Sequence, residues 1–429
     1  MKDQTAVGIG LSADSVAWQR FSVPYTYPVA FVRGLFRPEN TLFADTVSYR
    51  EPKKRHRCFI VVDAGLTETL PDLLAGIDAY FAAHADRLEM IARPMTVPGG
   101  EQVKNELTHI ERLQDAIHRH NIDRHSYVVA IGGGAVLDAV GLAASTAHRG
   151  VRHIRVPTTV LSQNDSGVGV KNAVNLKGIK NYIGSFAPPW AVLNDYDFLD
   201  ALPHRERRAG IAEAVKVALI RDRRFYDWLE ANVDALAIFE PEAEQYMVRR
   251  SAELHMHQIA HGGDPFENGS ARPLDYGHWS AHKLEAMTRN HVRHGEAVAM
   301  GVALDTRYSV LAGHLKPGAE ERVAVLLEGL GLRIWHPALD RTLPNGELEI
   351  LAGLREFLGE MNVVMRVSRL AKYKTTVQLI AMGALLVEPL IPDLRLIVDA
   401  ILWLAALLTV WTGWSYWRGA QQHMREPRP

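Results

Sequence analysis

The chain has 429 residues, enough for two or three domains, with 48 Lys plus Arg against 49 Asp plus Glu and a formal net charge of −1. That balance excludes the strongly basic surface that nucleic-acid binding needs, and the one basic run, Arg50 to Arg57, reads as a solvated loop. A lone cysteine, Cys58, excludes an internal disulfide framework and a Cys-rich zinc site and suits a reducing cytosol.

The opening MKDQTAVGIGLSADSV lacks an apolar stretch of signal-peptide length, so a cytoplasmic catalytic part is expected. Tyr27 to Phe36 and Cys58 to Asp63 read as short strands. Pro71 to Ala92 carries Leu, Ile and Phe at helical spacing. Val103 to His120 is a second amphipathic helix, with Leu107, Ile110, Leu113 and Ile117 at steps of three and four. Tyr127 to Ile131 is a strand running into Gly132-Gly133-Gly134 and an Ala-rich helix. Val151 to Pro157 and Trp190 to Leu193 are further strands. Strands alternating with helices predict a parallel α/β sheet over residues 1–200. From about Leu202 the pattern turns helical, in AGIAEAVKVALIRD and RVAVLLEGLGL, which predicts a helical domain over 201–357.

An apolar tail over 358–429 completes the expected organisation. Thr375 to Val387 is an uncharged run of about 13 residues, and Ala400 to Trp417 one of about 18 with Trp403, Trp411, Trp414 and Trp417. Around Glu388 to Pro392 the pair reads as a helical hairpin in or on a membrane, attaching the catalytic part to the inner membrane through residues 375–418.

The glycine triplet lets a ligand come close to the backbone, and the helix that follows offers free N–H groups to a phosphate. Glycine triplets alone do not decide between a binding turn and a structural one. The spacing to Asp138 and the segment RVPTTVLSQNDSGVGVKNAVN shift that weighing.

Gly132 to Asp138, Pro157-Thr158-Thr159, Asp165-Ser166 with Lys171, Gly178 to Asn181, Glu213 to Lys216, and Gly277-His278 with His294-Gly295-Glu296 together resemble the 3-dehydroquinate synthase family of sugar phosphate cyclases. Val97 to Lys104 is similar to that family's PxGExxK turn. The fold so implied is dehydroquinate-synthase-like. A Rossmann-like NAD-binding sheet domain is followed by an all-helical metal-binding domain. The resemblance implies that Asp63, Glu101 and Lys104 hold the adenosine side of NAD. Gly133, Gly134 and Asp138 would surround its pyrophosphate, with Thr158 and Thr159 beside them. Asp165, Lys171 and Lys180 would line the nicotinamide end and the substrate, and Asn181 would contact the substrate phosphate. Arg149 resembles an arginine given to a neighbouring subunit's site, which implies a homodimer. Glu213, His278 and His294 match three metal ligands, for zinc or cobalt.

The residues support that chemistry in their own right. One carboxylate and two imidazoles leave open positions on a zinc ion, as a catalytic site requires. Lys216 lies one turn from Glu213, and His282 one turn from His278, so each pair can share a helix face. The mechanism implied is a redox cycle that leaves NAD unchanged overall. A ring hydroxyl of a seven-carbon sugar phosphate is oxidised, phosphate is eliminated, the carbonyl is reduced again, and an intramolecular aldol closes a carbocycle.

The substrate-reading positions depart from the family pattern. Arg272 to His278 stands where the family has RxxLNFGH, and Asp275 replaces its asparagine, a feature shared with valiolone-forming cyclases that use sedoheptulose 7-phosphate. No lysine lies between His255 and Arg272. An added anion and a missing cation should weaken binding of a carboxylated heptulosonate. The stretch GGDPFENGSARPLDYGHWSAHKLE is most similar to divergent members of ebo metabolite clusters. The tail, from Leu354 through Val367 to Gln378, resembles the end of CDP-alcohol phosphatidyltransferases of the phosphatidylglycerophosphate synthase type, without their metal-binding signature anywhere in the chain. Two other readings stand beside the active cyclase. One is a catalytically impaired cyclase fold serving as a membrane-attached module, and the other is a fragment of a lipid enzyme.

Overall fold

The computed structural model describes residues 19, 21–177, 179–262, 265–266, 273–344, 346–354, 395, 398–405 and 411. Strands β1 (Val29–Val32), β2 (His56–Asp63), β3 (Leu88–Met90), β4 (Met95–Val97), β5 (Tyr127–Gly132) and β6 (Arg152–Pro157) come first. The hairpin strands β7 (Lys171–Leu176) and β8 (Ile179–Phe186) follow, and β9 (Ala191–Asp195) is last. Seven of them form one sheet in the order β1-β9-β6-β5-β2-β3, with β4 also on β2, and every pairing in it is parallel.

The sequence dictates this arrangement through burial. All six residues of β5 and all five of β9 are buried, as a parallel strand covered by helices on both faces must be. On one face Ile60, Val62, Val129 and Ile131 meet Tyr80 and Phe43; on the other Val61, Val128 and Ala130 meet the Leu107–Arg119 and Gly134–Thr146 helices. From β2 the chain steps outward to β3 and β4, then returns to place β5 on the other side of β2. Strand order reverses there, and a crevice opens at the carboxyl ends of the strands at such a point. Register brings Val62 beside Ile131 and Gly132 beside Pro157, so Asp63, the glycine turn and Thr158 meet at that edge.

The Pro71 to Ala92 helix is shorter than its spacing predicts, running only over Leu73–Ala83. Beyond it Leu88 is buried in β3, opposite His56, and the sheet edge takes the apolar residues that the pattern assigned to the helix. The strand expected over Tyr27 to Phe36 keeps only Val29–Val32. Gly34 turns the chain with φ +67°, and the Asp195 carboxylate accepts from the Gly34 and Leu35 N–H groups. The hairpin β7–β8 was not anticipated. Its residues are Asn- and Lys-rich and mostly exposed or half-exposed, with little apolar alternation to mark them.

The chain then becomes helical, with Ile211–Arg221, Arg223–Ala231, Pro241–His261, His278–Met287, His294–Leu311 and Ala319–Gly329 packed around Val215, Phe225, Leu229, Met247, Leu284, Val298 and Leu327. Gly277 fixes one critical junction. It adopts φ +77°, its N–H donates to Asp305 Oδ2 at 2.7 Å, and a Cβ there would lie 2.7 Å from the Val302 nitrogen. No residue with a side chain fits, and the turn starts the next helix at His278.

Met1–Leu354 is one compact unit and Arg355–Pro429 another. Of the second, residues 395, 398–405 and 411 are helical; most of the two apolar runs lies outside the described residues. Among the described residues no helix is long and apolar enough to cross a membrane.

Candidate active site

The sequence-expected nucleotide residues gather at the strand ends. Asp63 closes β2, and its carboxylate accepts from the N–H of Gly65 at 2.9 Å and from that of Gly133. Burial pushes its carboxyl up, against the pull of those two donors. Gly99, in the Val97 to Lys104 turn, packs so closely that a Cβ would sit 2.3 Å from Asp63 Oδ1. Gly133 and Gly134 lead into the helix Gly134–Thr146; their added Cβ atoms would lie 3.3 Å from Thr159 and 2.6 Å from Ser166 Oγ. Thr158 donates its N–H to the Gly132 carbonyl at 3.1 Å, and Thr159 exchanges bonds with Ser162.

Lys104, 3 % exposed, donates to Asp138 Oδ2 at 2.8 Å and to Asn181 Oδ1 at 2.6 Å. Three residues that the resemblance spreads from the adenosine to the substrate phosphate are thus one hydrogen-bonded unit. Glu101 joins its rim by accepting from Asn175 at 3.2 Å. Lys171 opens β7 and ends the stretch whose carbonyls Arg155 grips: that fully buried guanidinium donates to the carbonyls of Ser166, Gly167, Gly169 and Lys171 and to Asn172 Oδ1. Arg149 stands apart. It is exposed with φ +62°, lines a surface cavity of about 350 Å³ with Asp123, Arg124 and His148, and makes no hydrogen bond to the site among the described residues. Arg272 lies outside the described residues.

The helical half supplies a buried charged centre. Glu213, 1 % exposed, sits in the first turn of its helix. Its Oε1 is 3.5 Å from His278 Nε2 and 3.4 Å from His294 Nε2, and its Oε2 is 2.5 Å from Lys216 Nζ. Each imidazole is held from behind. His278 Nδ1 is 3.2 Å from the Tyr276 carbonyl, and His294 Nδ1 is 3.1 Å from Glu285 Oε2. Both Nε2 atoms therefore turn toward Glu213, and the three ligand atoms lie within 4.8 Å of one another.

Burial disfavours the Glu213 carboxylate, but Lys216 and His278 outweigh it and hold its carboxyl well below the usual range. Burial would likewise push Lys216 down, yet the carboxylates of Glu213, Asp165 and Asp275 raise it, so the ammonium stays charged. Asp165 is hydrogen-bonded to His255 Nδ1 at 2.8 Å; against the cost of burial, His255 and Lys216 bring its carboxyl down to about 2.

Does this centre fit a metal ion? Glu213 Oε2 is paired with Lys216, whereas Oε1 is buried without a hydrogen bond of good geometry and faces two oriented imidazole nitrogens. A buried carboxylate oxygen without a donor is costly, and a metal ion on Oε1 would complete it. One carboxylate and two imidazoles are also a divalent-metal donor set. The residues fit.

Residues 94–209 match the family described as 3-dehydroquinate synthase N-terminal, and residues 210–348 the one described as 3-dehydroquinate synthase C-terminal. A 3-dehydroquinate synthase of Halorhodospira halophila is 41 % identical over 271 residues, covering 62 % of this chain and 76 % of that one. The chain belongs to the 3-dehydroquinate synthase family. Among solved structures of this fold, 2-epi-5-epi-valiolone synthase from Streptomyces hygroscopicus, with NAD+ and Zn2+ bound, is 27 % identical with a TM-score of 0.70 over 81 % of this chain and 90 % of that one. Glycerol dehydrogenase from Schizosaccharomyces pombe, 15 % identical with a TM-score of 0.53 over 80 % and 92 %, shares the fold alone.

His282 joins the His278 and His294 rings at centroid distances of 5.4 and 6.0 Å, and Asp275 acts on Lys216. Two residues escaped sequence reasoning. Glu285, one turn beyond His282 on the same helix, could have been found from the 278/282/285 spacing. His255 could not, because nothing in the run HMHQIAH sets it apart from the other histidines.

Proposed function

We propose that the chain is an NAD- and metal-dependent sugar phosphate cyclase, a phosphate-eliminating lyase that closes a seven-carbon sugar phosphate into a carbocycle. One observation carries this reading: the buried Glu213 carboxylate, whose Oε1 faces two oriented imidazoles, in a chain that also has a glycine turn at the sheet's switch point. When bound, NAD would take up and return a hydride at one carbinol carbon, and a zinc or cobalt ion on Glu213, His278 and His294 would make the hydroxyl there more acidic.

The chain's own residues do the rest. The Gly133–Gly134 turn, its helix N-terminus and Asp138 receive the pyrophosphate, with Asp63, Glu101 and Lys104 on the adenosine side. Lys216, kept charged by three carboxylates, stabilises a developing oxyanion and does not serve as a base. His255 is oriented by Asp165 through Nδ1, which leaves Nε2 as a proton acceptor. Lys171, Lys180, Asn181, Arg272 and His282 complete the substrate contacts.

The carboxylates of Asp165, Glu213 and Asp275 surround Lys216 and disfavour a substrate with a carboxylate of its own. Sedoheptulose 7-phosphate is therefore expected to turn over faster than a carboxylated heptulosonate phosphate. Inorganic phosphate release from a panel of seven-carbon sugar phosphates, with Glu213→Ala as control, tests the reading; no release from any of them refutes it.

The reading extends to a homodimer in which Arg149 reaches the partner's site, and to a tail that resembles a CDP-alcohol phosphatidyltransferase fragment and attaches to the inner membrane through residues 375–418. Light scattering of the purified protein tests the first. Full recovery of the protein in the cytosolic fraction without detergent would refute the second.

A further inference from the structure

Glu285 is a buried carboxylate of the helical half that joins two charged partners from distant parts of the chain. Its side chain is 5 % exposed, and each oxygen has its own partner: Oε2 lies 3.1 Å from His294 Nδ1, and Oε1 accepts from Lys180 Nζ at 2.9 Å. Against the cost of burial, His294 and Lys180 hold its carboxyl far below the usual range. One partner is a candidate metal ligand. The other stands on β8, in the hairpin inserted into the sheet half, 105 residues earlier in the chain.

We infer that Glu285 is a positioning residue that ties the metal ligand His294 to the hairpin cation Lys180, so that metal affinity and hairpin placement are coupled through one carboxylate. A carboxylate behind a ligating imidazole fixes its tautomer and raises its basicity, an effect worth about 10- to 100-fold in metal affinity. Lys180 competes for the same charge. An ammonium on Oε1 draws density from Oε2 and weakens the hold on His294, and a substrate anion that recruits Lys180 would release it. The inference rests on the proposed metal site.

A second arrangement is sterically open. His282, Glu285 and His294 also present three ligand atoms within 4.8 Å, which would make Glu285 a ligand itself. The ion pair of Glu285 with Lys180, and the two imidazole Nε2 atoms that face Glu213 Oε1, favour Glu213 as the ligand and Glu285 behind it.

Zinc affinity of the purified full chain, measured by competition with a chromophoric chelator, tests this without turnover. Measured at alkaline pH, where protons do not compete for the imidazoles, Glu285→Gln, which keeps the shape and loses the charge, should bind zinc about 10- to 100-fold more weakly. Lys180→Met should tighten zinc binding several-fold in the wild-type background and by less than about twofold in the Glu285→Gln background. Equal affinity of Glu285→Gln and wild type overturns the inference, as does a Lys180→Met effect of the same size in both backgrounds. Complete loss of zinc binding in Glu285→Gln, with retention in Glu213→Gln, overturns it in favour of Glu285 as ligand. Wild-type protein that takes up neither zinc nor cobalt refutes the metal site itself, a result distinct from the others.

Discussion

The sheet half and the helical half build their parts of the site by opposite means. At the strand ends the working surface is backbone, with glycines whose missing Cβ atoms leave room, N–H groups at a helix start, and carboxylates such as Asp63 spent on holding turns. In the helical half the surface is side-chain charge. Glu213, Lys216, His294 and Glu285 are brought together out of water and balanced against one another. Shape can be lost one methyl at a time, whereas a balanced buried charge set fails as a whole when one member goes.

That contrast predicts unequal responses to mutation. Glu213→Ala should have the largest effect. It removes a metal ligand and leaves Lys216 buried without its nearest partner, at about 3–5 kcal/mol, so zinc uptake and phosphate release should vanish together while the melting temperature falls. A stable variant that still binds zinc would break the comparison.

Next comes the pH dependence of metal binding. Burial would lower His294, but Glu285 and Glu213 outweigh it and raise it to about 9. A metal ligand must be a neutral imidazole, so zinc must displace that proton at any lower pH. Apparent zinc affinity should therefore rise by roughly tenfold per pH unit from neutrality and level off near 9. A flat profile would show that Glu285 does not act on His294.

A smaller effect is expected at the glycine turn. Gly134→Ala places a Cβ 2.6 Å from the Ser166 hydroxyl, which can turn aside, so overpacking should weaken NAD binding by about 1–2 kcal/mol and leave zinc binding unchanged. Equal loss of both ligands would merge the two halves into one unit. The smallest effect serves as a baseline. Arg223, exposed and paired with Asp227 on one helix turn, should cost less than about 0.5 kcal/mol in urea unfolding when replaced by alanine.

Legibility in the sequence followed the same division. The strand-glycine-helix run at Tyr127 to Thr146 was readable as a local signal, and the Glu213, His278 and His294 set only through its match to a family pattern. Contacts between distant segments were not. Lys180 with Glu285, Asp165 with His255, and the unit of Lys104, Asp138 and Asn181 each join residues 34 to 105 positions apart. Periodicity reports which face of an element is buried and says nothing about which charge waits there. The overlong Pro71 to Ala92 helix failed for a related reason, since Leu88 serves a strand edge that only the folded sheet defines.

Arg155 carries a consequence for how the molecule is assembled. Its guanidinium lies inside the sheet half, yet every acceptor it uses belongs to residues 166–172, the stretch between Asp165 and the hairpin. A cation cannot stay in that interior without those carbonyls, and the carbonyls, once buried away from water, need its N–H donors. Strand β6 and the 166–172 stretch must therefore commit in the same folding step. A protease that cuts this stretch should find it accessible only in molecules whose sheet has already opened.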